Sequence, residues 1–273
     1  MTGEILVKPP LLLRLCPEFL RGPVWYRVYR GRPGYDGIFK RAEMRYAKGY
    51  AMHDLVTTDY ISECVAFMGF FELWLSRRVR TLASAGGAKR LVDVGANMGY
   101  FSLVWLAAGE RNEVLAFEPD KRNLVMLRKN LAENGCEARC VVHPLACSDQ
   151  AGVIGFDSRP QEQTGWGSIA LTDESRVTQI EAVRLDQIID DDRPIDLLKI
   201  DTEGADYLVL KGCEKLLRSK QIKEIVFEMN EPGMAHLNLT KREVLDYLKD
   251  VGYPATCVEK EERTVSTWRA VPL

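Results

Sequence analysis

From Arg90 onward the chain alternates short strand-like runs with helical patterns, and this alternation constrains the fold more than any other feature. "RLVDVG", "EVLAFEP", "ARCVVHPLAC", "IDLLKID" and "IKEIVFEMN" are the strand-like runs. Between them lie a helix opening near Gly99, one N-capped by Asp120 with Leu124, Leu127 and Leu131 on one face, and one after Gly204 carrying "YLVLKGCEKLL". Parallel strands need crossover helices, so the pattern predicts a parallel sheet covered on both faces. Thr240 and Glu243 make a capping box for a further helix with Val244, Tyr247, Leu248 and Val251 as its apolar stripe. "YPATCV" and "TVSTWRAV" then read as a terminal antiparallel hairpin. The expected class is α/β: a Rossmann-like, doubly wound, mostly parallel sheet with an antiparallel end.

The pattern begins after "ASAGGAK", whose small residues favour a break. Residues 1–88 are expected as a mainly helical accessory segment, and residues 89–273 as the ligand-binding domain. The run "ILVKPPLLLRLCPEFL" is broken by a lysine, two prolines and an arginine, and is shorter than the ~20 residues of a membrane span. Its Leu11, Leu12, Leu13 and Leu15 either dock on the main domain or meet a membrane peripherally. A net charge of -2 gives no overall footprint for nucleic acid, although a local basic patch stays open. Seven cysteines without a CxxC pair argue against a zinc ribbon or a secreted disulfide framework. They read as reduced thiols of a cytoplasmic protein.

In a doubly wound sheet the ligand binds beyond the carboxyl ends of the strands, where the strand order reverses. Asp93 to Gly99, "DVGANMG", forms the first such turn. Gly95 and Gly99 let the backbone bend and approach a ligand, while Ala96 and Asn97 lie between them. Glu118, followed by Pro119, ends the second strand at the position where a carboxylate accepts hydrogen bonds from both ribose hydroxyls. The sixth glycine of a pyrophosphate-binding GxGxxG is missing, which disfavours a nicotinamide-linked oxidoreductase. Asp93 instead suits a cationic amino group such as that of S-adenosyl-L-methionine. A pocket retained for partner binding without catalysis is a further reading.

"LVDVGANMGYFSL", "AFEPD", "VVHPLACSDQAG", "LLKIDTEGADYLVLKG" and "IVFEMN", in that order, resemble the FkbM-type S-adenosylmethionine-dependent methyltransferases over about Leu91 to Tyr253. The resemblance implies a class I methyltransferase fold. It also implies O-methylation of a sugar or natural product, with N-methylation of an amide or amine as the alternative. The expected acceptor is a small molecule or glycan rather than a nucleic acid.

Strand alternation sets Leu197, Lys199 and Asp201 on one face, so Lys199 is a cation in a buried central strand and needs carboxylate partners. The usual strand order brings Asp93, Asp201 and Glu228 to it. Asp201 and Glu203 are candidate bases, with Glu228 and His236 behind them; Glu203 reads equally as a charge favouring the following helix dipole. Lys199 is either catalytic or a structural ion pair. His143 and Ala146 border the adenine in this reading, without a metal in the site. Trp166, in "TGWGS", either stacks on the acceptor or packs on the surface, and His236 is the other candidate acceptor contact. Trp25, Tyr26, Tyr29 and Tyr35 supply another wall or a homo-oligomer contact.

Overall fold

The computed structural model describes residues 10–32, 38–56, 58–157, 168–170, 177–260 and 263–273. Helices α1 (Leu11–Leu15) and α2 (Glu18–Val24) come first, and α2 runs on through a π turn at Trp25–Tyr29. A hairpin of β1 (Ile38–Glu43) and β2 (Ala51–Val56) follows, then α3 (Tyr60–Met68) and α4 (Leu73–Ala83). The alternation proceeds through β3 (Arg90–Val94), α5 (Tyr100–Leu106), β4 (Glu113–Phe117), α6 (Lys121–Glu133) and β5 (Cys140–His143). An insertion contains β6 (Ala146–Cys147), β7 (Gly152–Asp157), β8 (Ser168–Ala170), β9 (Val177–Val183) and the short α7 (Leu185–Ile188). The alternation resumes with β10 (Leu197–Ile200), α8 (Asp206–Gly212), α9 (Glu214–Arg218) and β11 (Ile225–Asn230). Helices α10 (Glu231–His236) and α11 (Lys241–Asp250) lead to the closing hairpin of β12 (Ala255–Lys260) and β13 (Val265–Ala270).

The seven-stranded sheet has the order β12-β13-β11-β10-β3-β4-β5. The strands β11, β10, β3, β4 and β5 pair in parallel, and β13 and β12 add antiparallel. The chain leaves β3 toward β4 and later returns to its other side as β10, so the order reverses at β3. The α/β class, the parallel strands and the terminal hairpin are as expected. The register of β12 on β13 shifts between Cys257 and Glu259, a bulge on the outermost strand.

Period-2 alternation separates two cores. Leu91, Val114, Ala116, Leu197 and Val226 face α5 together with Leu13, Trp25, Phe67 and Val79 from before residue 88. Val92, Val94, Leu198, Ile200 and Phe227 face α8, α11 and Trp268. The N-terminal segment therefore shares its core with the sheet.

Three local features differ from the sequence reading. The run "ARCVVHPLAC" is split: Pro144 cannot donate to a ladder, so β5 stays in the large sheet while β6 joins the four-stranded sheet β6-β9-β7-β8. The helical run "YLVLKGCEKLL" divides into α8 and α9 around Cys213. The segment expected to be mainly helical also contains the β1–β2 hairpin, whose Ala42 and Met44 are buried on one face. Asn130 of α6 and Asn134, which caps its C-terminus, cover the edge of that hairpin: Ala51 N–H donates to Asn134 Oδ1 at 2.9 Å and His53 N–H to Asn130 Oδ1 at 2.9 Å. Trp166 and Tyr35 lie outside the described residues.

Candidate active site

The site grows from the turn after β3. Gly95 has φ +71°, Asn97 +51° and Gly99 +90°, all in the left-handed region. A methyl group on Gly95 would lie 1.9 Å from the Asp201 carbonyl oxygen, and one on Gly99 would lie 2.5 Å from Leu127 Cδ1. Both positions demand glycine. The amides of Gly95 and Ala96 donate to the Phe117 carbonyl at 3.0 and 3.1 Å, which binds the turn to the end of β4. Asn97 N–H donates to Glu118 Oε2 at 2.7 Å, and Asp120 N–H to Glu118 Oε1 at 2.9 Å. Burial pushes the Glu118 carboxyl up to about 7, although these amides hold it down. Beyond it, His143 stacks on Phe117 with 4.6 Å between centroids, and burial lowers its pKa.

Lys199 lies between β3 and β11 with its side chain 3% exposed. Its Nζ donates to the Gly95 carbonyl at 2.8 Å and stands 3.4 Å from both Asp93 Oδ1 and Asp201 Oδ2. Burial alone would lower its pKa, but the carboxylates of Asp93, Asp201 and Glu72 outweigh burial and raise it. These carboxylates favour the ammonium form of Lys199. Asp93 is 0% exposed, with Oδ2 accepting from Ser102 Oγ at 2.7 Å. It is not among the residues that line the cleft described below, and Lys199 Nζ links it to Asp201, which is.

Gly95, Ala96, Asn97, Met98, Lys199 and Asp201 line a cleft of about 250 Å³, whose other wall is Ile61, Phe71, Tyr100 and Phe101. Asp201 is the carboxylate among these lining residues, and its side chain is 32% exposed. Glu203 adopts φ +54° and accepts from Asn230 Nδ2 at 2.9 Å, which ties it to the end of β11. Register sets Glu228 on the face of Asp201, one step beyond the Phe227–Ile200 pair. His236 is exposed in the last turn of α10, outside this lining. Ala146 is buried beside Ala182 on β6, and Pro119 follows Glu118 toward α6.

Several residues of the site were not singled out from sequence. Asp206 on α8 accepts from Thr202 Oγ1 at 2.7 Å and from Glu228 N–H at 2.9 Å, locking the loop after β10 to β11. Burial pushes its carboxyl up to about 6. Ser102 on α5 and the aromatic wall from Phe71 also belong here. Strand alternation marks strand residues, whereas partners carried on helices give no periodic signal of their own. Among the described residues no group of three or more His, Cys, Asp or Glu is arranged to hold a metal.

Residues 93–255, more than half of the chain, match the methyltransferase FkbM domain. The chain belongs to the FkbM methyltransferase family. Among relatives, methyltransferase sdnD of Sordaria araneosa is 30% identical over 176 residues, covering 52% of this chain and 67% of that protein. The tRNA wybutosine-synthesizing protein 2 homolog of Rattus norvegicus is 32% identical over 111 residues, 39% of this chain and 24% of that protein. The FkbM chain thus spans about a quarter of the length of the latter. A solved O-methyltransferase from Bacillus cereus in complex with SAH is 14% identical with a TM-score of 0.47, covering 74% of this chain and 82% of that one.

As an FkbM methyltransferase the chain is an S-adenosylmethionine-dependent enzyme. Its residues fit that donor. The glycine turn presents bare backbone, Glu118 Oε2 keeps a second lone pair after its bond from Asn97 N–H while Oε1 accepts from both Asp120 N–H and Asn123 Nδ2, and Asp201 brings a carboxyl group to the cleft.

Proposed function

We propose that this FkbM methyltransferase methylates a hydroxyl oxygen of a small acceptor, a sugar or natural product, in the cleft at Asp201. S-adenosylmethionine, when bound, supplies an electrophilic methyl group on a sulfonium. Gly95, Ala96, Asn97 and Gly99 cradle it with backbone, Glu118 and Pro119 meet the ribose, and Ala146 borders the adenine. Asp201 serves both its cationic end and the acceptor, whose hydroxyl proton it takes as the oxygen attacks. Lys199 fixes the orientation of Asp201 and anchors Gly95. Ile61, Phe71, Tyr100 and Phe101 keep water from the cleft, which favours attack by an aligned hydroxyl over solvent. The observation that supports this reading is Asp201, the one carboxylate among the residues lining the cleft, partly exposed beside Lys199 and facing an aromatic wall.

Labelled methyl donor, offered with pools of hydroxylated compounds, amides and bulk tRNA, tests it. The expected product is an alkali-stable methyl ether of a small hydroxylated compound, with turnover in Asp201→Asn lower by roughly 10²-fold at saturating donor. The tRNA pool is included because some relatives are named for tRNA wybutosine synthesis. Label in the amide pool alone would overturn the O-methylation reading, and label in the tRNA pool alone the small-acceptor reading, while either leaves the methyltransferase assignment intact.

A further inference from the structure

We propose that the outward face of the N-terminal helices docks on an anionic lipid bilayer. Of the twelve exposed large hydrophobic residues among the described ones, six fall between Leu11 and Tyr26. Leu13 turns inward and is fully buried, but Leu11, Leu12 and Leu15 on the same short helix are 67, 51 and 76% exposed. From α2 through the π turn the sides separate again. Arg21 and Trp25 point inward, where Arg21 donates to the Met68 carbonyl at 2.8 Å and Trp25 Nε1 to Glu63 at 2.6 Å. Phe19, Leu20, Pro23, Tyr26, Arg27 and Arg30 are exposed, at spacings that form one outward helical stripe. Packing against α3 therefore accounts for the inward side and leaves the apolar outward side to another medium.

Charge identifies that medium. Residues 10–32 contain five arginines, with Arg14, Arg27, Arg30 and Arg32 exposed; Arg30 Nε is already paired with the inward Glu63 at 3.0 Å, so Arg14, Arg27 and Arg32 carry the argument. Their one acid, Glu18, is turned away to Arg45, Arg77 and Tyr46. The face is thus leucine and phenylalanine ringed by guanidinium groups, in a chain whose net charge is -2. This asymmetry orients the N-terminal face toward a negative surface. An apolar face with a cationic border is the chemistry of an interfacial helix, whose side chains enter the acyl boundary while the arginines meet phosphate groups. The stripe also leads to the cleft: Tyr60, at the start of α3, stands edge-on to Phe71, which lines it.

The test is sedimentation of the full-length protein with vesicles of phosphatidylcholine alone and of phosphatidylcholine mixed with phosphatidylglycerol. Partition into the anionic vesicles is expected to exceed that into neutral ones by about tenfold and to weaken as salt rises. Leu11→Ser/Leu15→Ser/Phe19→Ser and, separately, Arg14→Glu/Arg27→Glu should each lower it by about tenfold without changing the melting temperature. Equal partition into both vesicles, no binding, or full binding by the triple variant overturns the proposal. So does a dimer that the triple variant dissociates while vesicles stay unbound, because the face would then belong to a second copy.

Discussion

Lys199 stays charged in the interior because three carboxylates share its field, and the same residue holds the glycine turn through the Gly95 carbonyl. Lys199→Met removes the cation but leaves Asp93 buried, so the variant is expected to lose roughly 3–5 kcal/mol in denaturant unfolding. An undiminished midpoint would refute this account. Glu118 gives a pH signature. Its folded pKa of about 7 lies above the ordinary 4.5, so the folded state retains a proton that the unfolded chain releases. Its stabilising contribution is complete below about 4.5 and lost as pH rises through about 7, and Asp206 acts with the same sign at about 6. The ligand-free melting temperature should therefore fall by a few degrees between pH 5 and 7.5, with a shallower fall in Glu118→Gln. Equal slopes would show that another group titrates. The Lys199 cluster was legible because a cation in a central strand demands partners and strand order names the neighbours. Asp206 was hidden because its role depends on where α8 packs.

Among the elements, the five parallel strands, the glycine turn and the capping box of α11 were legible from periodicity and local chemistry. The β1–β2 hairpin was not, since the buried Ala42 and Met44 stand among arginines and tyrosines that obscure the alternation. A second constraint emerges only in three dimensions: the loop after β10 touches the start of α10. A methyl on Gly233 would meet the Glu203 carbonyl oxygen at 2.2 Å, backbone against side chain with no rotamer to relieve it. Gly233→Ala is expected to cost about 1–3 kcal/mol and to lower turnover more than donor affinity, because the loop carries Glu203 beside Asp201. Calorimetric titration with the donor, run beside initial rates, separates the two. Equal losses in both would mean that the displacement reaches the glycine turn.

At the scale of the whole molecule, the first 88 residues and the sheet bury one another's side chains. Trp25, Phe67 and Val79 occupy the same core as Leu91, Leu103 and Trp105. Burying a single large apolar side chain is worth about 1.5–3 kcal/mol, so residues 89–273 expressed alone are expected to lose cooperative unfolding and bind a hydrophobic dye. A sharp transition in that fragment would refute the shared-core account. Sequence patterns suggest a boundary near residue 88 but say nothing about what crosses it, because contacts between distant helices leave no period in either one.

The bulge on β12 has a consequence for self-association. An outermost strand is an open row of amides and carbonyls that invites another chain to add itself to the sheet. Between Cys257 and Glu259 that row loses its register, and Glu259 and Lys260 place opposite charges at the same end. A second molecule extending the sheet here would find neither a regular ladder nor a neutral edge. This border of the fold is built as a terminus, which disfavours copies of the enzyme joining sheet to sheet at β12.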